Sequence, residues 1–166
     1  MINQAITNSS LIEIVSRHGF AEILQNTVTN QKSLHALIPL KKGDVVSKFY
    51  AGEVYTVPNY LTVQRGVSEH ITLMPVFLQY INHSCNPNVF FDTSSMEVIA
   101  LKDIDPNEEF SFFYPSTEID MAQPFICYCG SKDCLQNIKG AKYIPGEILK
   151  KYRLTDFIQQ QLQHKL

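Results

Sequence analysis

The four cysteines of this 166-residue chain are divided three against one. Cys127, Cys129 and Cys134 stand together in Cys127-Tyr128-Cys129-Gly130-Ser131-Lys132-Asp133-Cys134. Cys85 lies far upstream, in Tyr80-Ile81-Asn82-His83-Ser84-Cys85-Asn86-Pro87-Asn88. A CxCxxxxC run offers three thiolates from one tight loop, with Gly130 easing the turn, and is one ligand short of the tetrahedral set of a structural zinc. Cys85 leaves no cysteine over if it completes the set; His83 or a cysteine of another chain is the alternative donor. Four reduced, unligated thiols are the bland alternative. A metal joining the two stretches would clasp residues 115–140 onto the rest of the chain, a loop whose closure otherwise costs chain entropy.

Disulfides are disfavoured by the expected compartment. The start, Met1-Ile2-Asn3-Gln4, has no basic segment followed by an apolar one, and no run reaches the roughly 18 apolar residues of a membrane helix. The reading is an intracellular chain, cytoplasmic or nuclear, with no membrane partner and reduced thiols. Apolar residues at 45% and charged residues at 18% suit one globular domain with a short appendix. A net charge of −2 leaves no electrostatic footprint for a phosphate backbone, so no direct nucleic-acid contact is expected, whereas a basic, lysine-rich partner is compatible. Nothing in the composition bears on oligomeric state.

Most of the chain reads as short strands. Leu11–Val15 and Ala21–Leu24 flank Gly19 as a hairpin, and Leu34–Leu40 reads as a strand followed by a turn at Lys42-Gly43-Asp44 and a second strand through Phe49-Tyr50. Ala51-Gly52-Glu53 is expected to end that strand. Leu61–Gln64 and His70–Leu73 alternate apolar and polar residues around Arg65-Gly66, and Val89–Phe91 with Met96–Leu101 form another hairpin. Phe110–Tyr114 is expected to be an aromatic strand stopped by Pro115. Ile148, Leu149 and Tyr152 recur at helical spacing, and Thr155 can cap a last helix carrying Phe157, Ile158 and Leu162.

Asn82-His83-Ser84-Cys85-Asn86-Pro87-Asn88 resembles the NHSCxPN signature of SET-domain protein-lysine methyltransferases. Asn107-Glu108-Glu109-Phe110-Ser111-Phe112-Phe113-Tyr114 resembles that family's second signature, usually GEELTFDY. Cys127 to Cys134 resemble its post-SET zinc motif, whose fourth ligand in the family is the cysteine of the first signature. The likeness covers residues 31–142 and is nearest to a branch of small standalone SET proteins. It implies a mostly β fold with added helices (β+α): short twisted sheets, a pseudoknot, a zinc-bound post-SET loop and C-terminal helices. The implied layout is a SET domain over 1–114, a zinc segment over 115–140 and a helical extension over 141–166. The family's opening GxGxFA segment stands here as Gln31-Lys32-Ser33-Leu34-His35-Ala36, without either glycine.

The resemblance further implies S-adenosylmethionine as methyl donor, one structural zinc per chain, and a protein with an exposed lysine as substrate. A SET scaffold that binds protein or peptide without catalysis is the alternative. Methyl transfer from a sulfonium to an amine is an in-line displacement that needs an aligned, uncharged lysine. Free lysine, with a pKa of about 10.4, is protonated at neutral pH. An apolar aromatic channel lowers that pKa by desolvation, and a tyrosine hydroxyl at its end can orient the lone pair. By resemblance Tyr114 is the catalytic tyrosine, Tyr50 lines the channel, and Phe112 occupies the position that bears on how many methyl groups fit. Asn82 and His83 contact the cofactor, with Lys32 and Ser33 near its carboxylate. Tyr80 faces the sulfonium through its ring, and Leu135 packs on the adenine.

Overall fold

Short β-leaning runs punctuated by Gly, Pro and Asn cannot extend into one large sheet, so they close into several small ones. The computed structural model describes residues 11–164; Met1-Ile2-Asn3-Gln4 lies outside the described residues. Ile12–His18, Ala21–Asn26 and Lys32–Ala36 form an antiparallel sheet in chain order. A second sheet sets Glu97–Ala100 between Val45–Lys48 and Val89–Asp92, and a third sets Glu69–Met74 between Tyr50–Tyr55 and Thr62–Gly66. Two residue pairs complete the β structure. Asn82–His83 runs parallel to Ser111–Phe112, and Phe125–Ile126 antiparallel to Asn137–Ile138.

The hairpins around Gly19, Arg65-Gly66 and Ser94 are present, but three local readings are corrected. The strand expected to run through Phe49-Tyr50 stops at Lys48, and Tyr50 opens another strand in a different sheet. Ala51-Gly52-Glu53 does not end a strand: Tyr50–Tyr55 runs through it. Gly52 serves close approach there, since a Cβ would stand 2.7 Å from Thr72 Oγ1 on the neighbouring strand. Phe110–Tyr114 is not one long strand either. Only Ser111–Phe112 pairs, and at Pro115 the chain tightens into a 3-10 turn over Tyr114–Ser116.

Successive side chains of an extended segment point to opposite sides. Phe112 therefore enters the main core with Leu34, Ile71, Leu78, Ile81, Phe91 and Phe110, while Phe113 joins a second cluster with Ala141, Leu149 and Ile158. Tyr152 stacks on Phe113 with ring centroids 3.7 Å apart and an angle of 8°. Fully burying a side chain of the size of Phe113 is worth about 2–3 kcal/mol, so this ring anchors the C-terminal segment. That segment holds the helices Gly146–Leu149 and Asp156–Gln163, the second capped by Thr155, whose hydroxyl accepts from the Ile158 amide. The architecture is the expected one, mostly strands with helices at the C-terminal end.

Gly140 joins the cysteine-loop region to that cluster with φ of 128°, and an added Cβ would fall 2.5 Å from the Ile119 carbonyl oxygen. Gly140→Ala is expected to cost about 2–3 kcal/mol, read as a lower denaturant midpoint at unchanged slope.

Candidate active site and metal centre

The site begins with the two-residue parallel ladder, in which Ser111 pairs with Asn82 and Phe112 with His83. A ladder this short needs support. Ser84 N–H donates to the Phe112 carbonyl at 3.0 Å. The half-hidden hinge of the motif is Asn88, which is buried: its Oδ1 accepts from Ser111 N–H at 2.8 Å and its Nδ2 donates to the Glu109 carbonyl at 2.8 Å. One side chain thus imitates a third strand. Its consequence is that Tyr114, next along the chain, lies against His83, its N–H donating to His83 Nδ1 at 3.2 Å and its ring edge-on at 5.2 Å between centroids.

His83 is held neutral, because burial lowers its pKa to about 4. Since Nδ1 accepts from Tyr114, the ring proton sits on Nε2, which faces Cys85 Sγ at 3.4 Å as a donor. His83 therefore faces the cysteine cluster as a hydrogen-bond donor, and the four cysteines make a complete candidate set without it. The Sγ atoms of Cys85, Cys127, Cys129 and Cys134 all lie within 4.8 Å of one another. A tetrahedral Zn–S₄ centre with bonds of about 2.3 Å has sulfur–sulfur edges of about 3.8 Å, so this set fits zinc with little closure. The amides of Leu135 and Cys129 donate to Cys85 Sγ and Cys127 Sγ, both at 3.4 Å, as thiolates require. Tyr152 Oη donates to the Cys85 carbonyl at 2.9 Å, tying the C-terminal segment to the same turn.

Two cavities meet at Tyr114. The larger, about 660 Å³, is lined by Gln31, Lys32, Asn82, His83, Glu109 and the strand before Cys127. The smaller, about 280 Å³, is lined by Phe112, Leu73, Leu78, Ile81, Thr117 and Glu118 among others. Tyr114 and Phe125 border both. Burial, assisted by the charge of Glu109, pushes the Tyr114 hydroxyl up to about 12, so it stays a phenol at neutral pH. Glu118 is 7% exposed, and burial pushes its carboxyl up to about 9.

The structure brings together Lys32, Asn82, His83 and Tyr114 at one cavity and places Phe112 with Tyr114 at the other. Four expected residues border neither. Tyr50 starts an outer strand of its sheet and is 59% exposed. Ser33 turns its hydroxyl to His35 Nε2 at 2.9 Å, on the opposite face of the strand from buried Leu34. Tyr80 faces the Lys32 ammonium, 5.5 Å from its ring centroid. Leu135 packs between the cysteine cluster and the C-terminal helices, away from the larger cavity. Glu109 and Phe125 were missed, although both sit inside or beside recognised motifs. Asn82 Nδ2 bridges Glu109 Oε1 and the Lys32 carbonyl, each at 3.0 Å.

The SET domain family model matches residues 6–115, and the chain belongs to that family. It is 36% identical over 146 residues to "Methyltransferase flvH" of Aspergillus flavus, across 87% of this chain and 82% of that protein. It is 37% identical over 77 residues to "Histone-lysine N-methyltransferase, H3 lysine-36 specific" of Candida albicans, across 43% of this chain but 9% of that protein. Among solved structures, KRYPTONITE in complex with mCHG DNA and SAH shares the fold, with a TM-score of 0.51 and 22% identity over 64% of this chain and 26% of that one.

Cys85→Ser is expected to reduce bound zinc to under half an ion per chain in metal analysis and to expose the region after Pro115 to protease. A second expectation concerns pH. The folded Glu118 carboxyl titrates at about 9 against 4.5 for the free group, so the native state binds more protons between those values. Its contribution is full below about pH 4.5 and is lost as pH rises through 9. Glu118→Gln should flatten the fall in unfolding free energy across that window, measured by denaturant titration at successive pH values.

Proposed function

We propose that this chain transfers methyl groups from S-adenosylmethionine to the side-chain amine of a lysine in a protein substrate. The observation that carries the reading is the position of Tyr114 between two cavities of different character, with family membership behind it. Names of relatives point the same way, two of them being histone-lysine methyltransferases.

Bound in the larger cavity, the sulfonium cofactor supplies an electrophilic methyl group. Lys32 is the cation suited to its carboxylate, Asn82 is held by Glu109 in an orientation that presents amide atoms to the cavity, and the neutral His83 ring adds no charge against a sulfonium. Gln31 borders this cavity where the family places glycine, and its flexible side chain must lie aside for the donor to enter.

Phe112, Leu73, Leu78 and Ile81 make the smaller cavity apolar on one side, which excludes water and disfavours the ammonium form of an entering lysine. Tyr114 holds the amine by its phenol. Being protonated at neutral pH, it orients the lone pair and takes no proton. The in-line geometry then follows from the two cavities sharing one wall. The cysteine cluster would hold zinc as a closed structural centre, remote from chemistry except through His83.

Calorimetry with S-adenosylmethionine is expected to show saturable heat, and labelled cofactor should mark one or more members of a panel of lysine-rich proteins. Absence of any heat would make the chain a SET scaffold without catalysis. Tyr114→Phe should lower turnover at least about 100-fold while leaving cofactor affinity within a few-fold. Unchanged turnover would remove Tyr114 from the role.

A further inference from the structure

On the acceptor side of Tyr114 one ionisable group is left unused by these roles. Glu118 borders the smaller cavity, is 7% exposed, and has an oxygen, Oε1, that is buried with no hydrogen-bond partner among the described residues. No ion pair among the described residues involves it. Its backbone is pinned on every side: Ala141 N–H donates to the Glu118 carbonyl at 2.8 Å, Gln64 N–H to the Thr117 carbonyl at 3.2 Å, and Ile119 N–H to Gln64 Oε1 at 3.2 Å. This frame fixes where the side chain leaves the backbone. The Gln64 backbone gives the carboxyl some support, but Oε1 is left unmet beside Thr62, Val63 and Leu73, which is costly for folding and calls for a partner that arrives with a ligand.

We infer that Glu118 is the group that recognises the methyl acceptor, its free oxygen accepting N–H from an alkylammonium head and selecting primary or secondary alkylamines over alcohols or thiols of the same shape. This rests on the reading that the smaller cavity admits the acceptor. Before the acceptor arrives, burial keeps the carboxyl as the neutral acid at neutral pH. A cation entering beside it displaces that proton to water and leaves an ammonium–carboxylate pair. Against the apolar side of the cavity, formed by Leu73, Leu78, Ile81 and Phe112, the pair relaxes by moving one proton from nitrogen to oxygen, which returns a carboxylic acid and yields the neutral amine that attacks the methyl group. An alcohol brings no charge to offset and gains nothing from the contact. The acceptor class is therefore a basic amine, as a lysine side chain is.

The test uses the full chain saturated with S-adenosylhomocysteine and two probes of equal length, n-pentylammonium and n-pentanol, observed by saturation-transfer NMR. Wild type is expected to give a signal with the ammonium at least five times that with the alcohol; Glu118→Gln should abolish the preference, and Glu118→Asp should restore part of it. With labelled S-adenosylmethionine and polylysine, Glu118→Gln should raise KM at least tenfold with S-adenosylhomocysteine affinity within twofold of wild type. Equal preference in wild type and Glu118→Gln, or a changed melting temperature with unchanged KM, would make the carboxyl structural and overturn the inference. Failure of wild type to bind the cofactor would instead overturn the enzyme reading, independently of Glu118.

Discussion

A parallel pairing of only two residues on each side, Asn82–His83 with Ser111–Phe112, holds the functional parts of this molecule together. Parallel strands cannot be joined by a tight turn, so their contact is always long-range and carries the entropy of the intervening chain. Here the intervening residues fold back as a hairpin, Val89–Asp92 with Glu97–Ala100, which shortens the effective loop. Asn88 then replaces the missing third strand with both ends of its amide. Everything near the reacting centre inherits its position from this junction: Tyr114 beside His83, Asn82 beside Glu109, and Cys85 where the later cysteines can reach it.

Burial around that junction has one electrostatic effect with three outcomes. It lowers His83, raises Tyr114 and raises Glu118, in each case toward the uncharged form. A neutral imidazole and a neutral phenol suit a cavity for a cationic donor, since neither adds a charge that the donor must meet. A neutral carboxyl is different, because it can become charged when a cation comes to it. The four-cysteine cluster is coupled to this region through the His83 ring on one side and through Tyr152 and Phe113 on the other, so it and the C-terminal cluster brace the same turn.

Much of the site was legible because its parts are local. The cysteine spacing, the Asn82–Asn88 run and the Glu109–Tyr114 run each read as a unit, and Thr155 was visible as a cap because the hydroxyl serves its own helix. Gly52 misled, since a glycine inside a strand looks like a break unless the neighbour's Thr72 is known to lie against it. Tyr50, Ser33, Tyr80 and Leu135 were assigned from position along motifs, and the direction of a side chain from a twisted strand or a loop is set by what packs against it. Glu118 carried no local signal at all, because the burial of its carboxyl, with Oε1 left without a partner among the described residues, is a property of the space around it.

Residue order alone marked the class of protein, the four cysteines as candidate ligands and the tyrosine at the end of the second motif, for these depend on chemical identity and on spacing within short motifs. Only the tertiary structure decided which residues line each cavity beside Tyr114, that His83 turns Nε2 to Cys85 Sγ, and that a buried carboxyl borders the smaller cavity. Those facts arise from segments far apart in the chain sharing a dry interior, where hydrogen bonds and charge are settled by neighbours that no local run of residues contains.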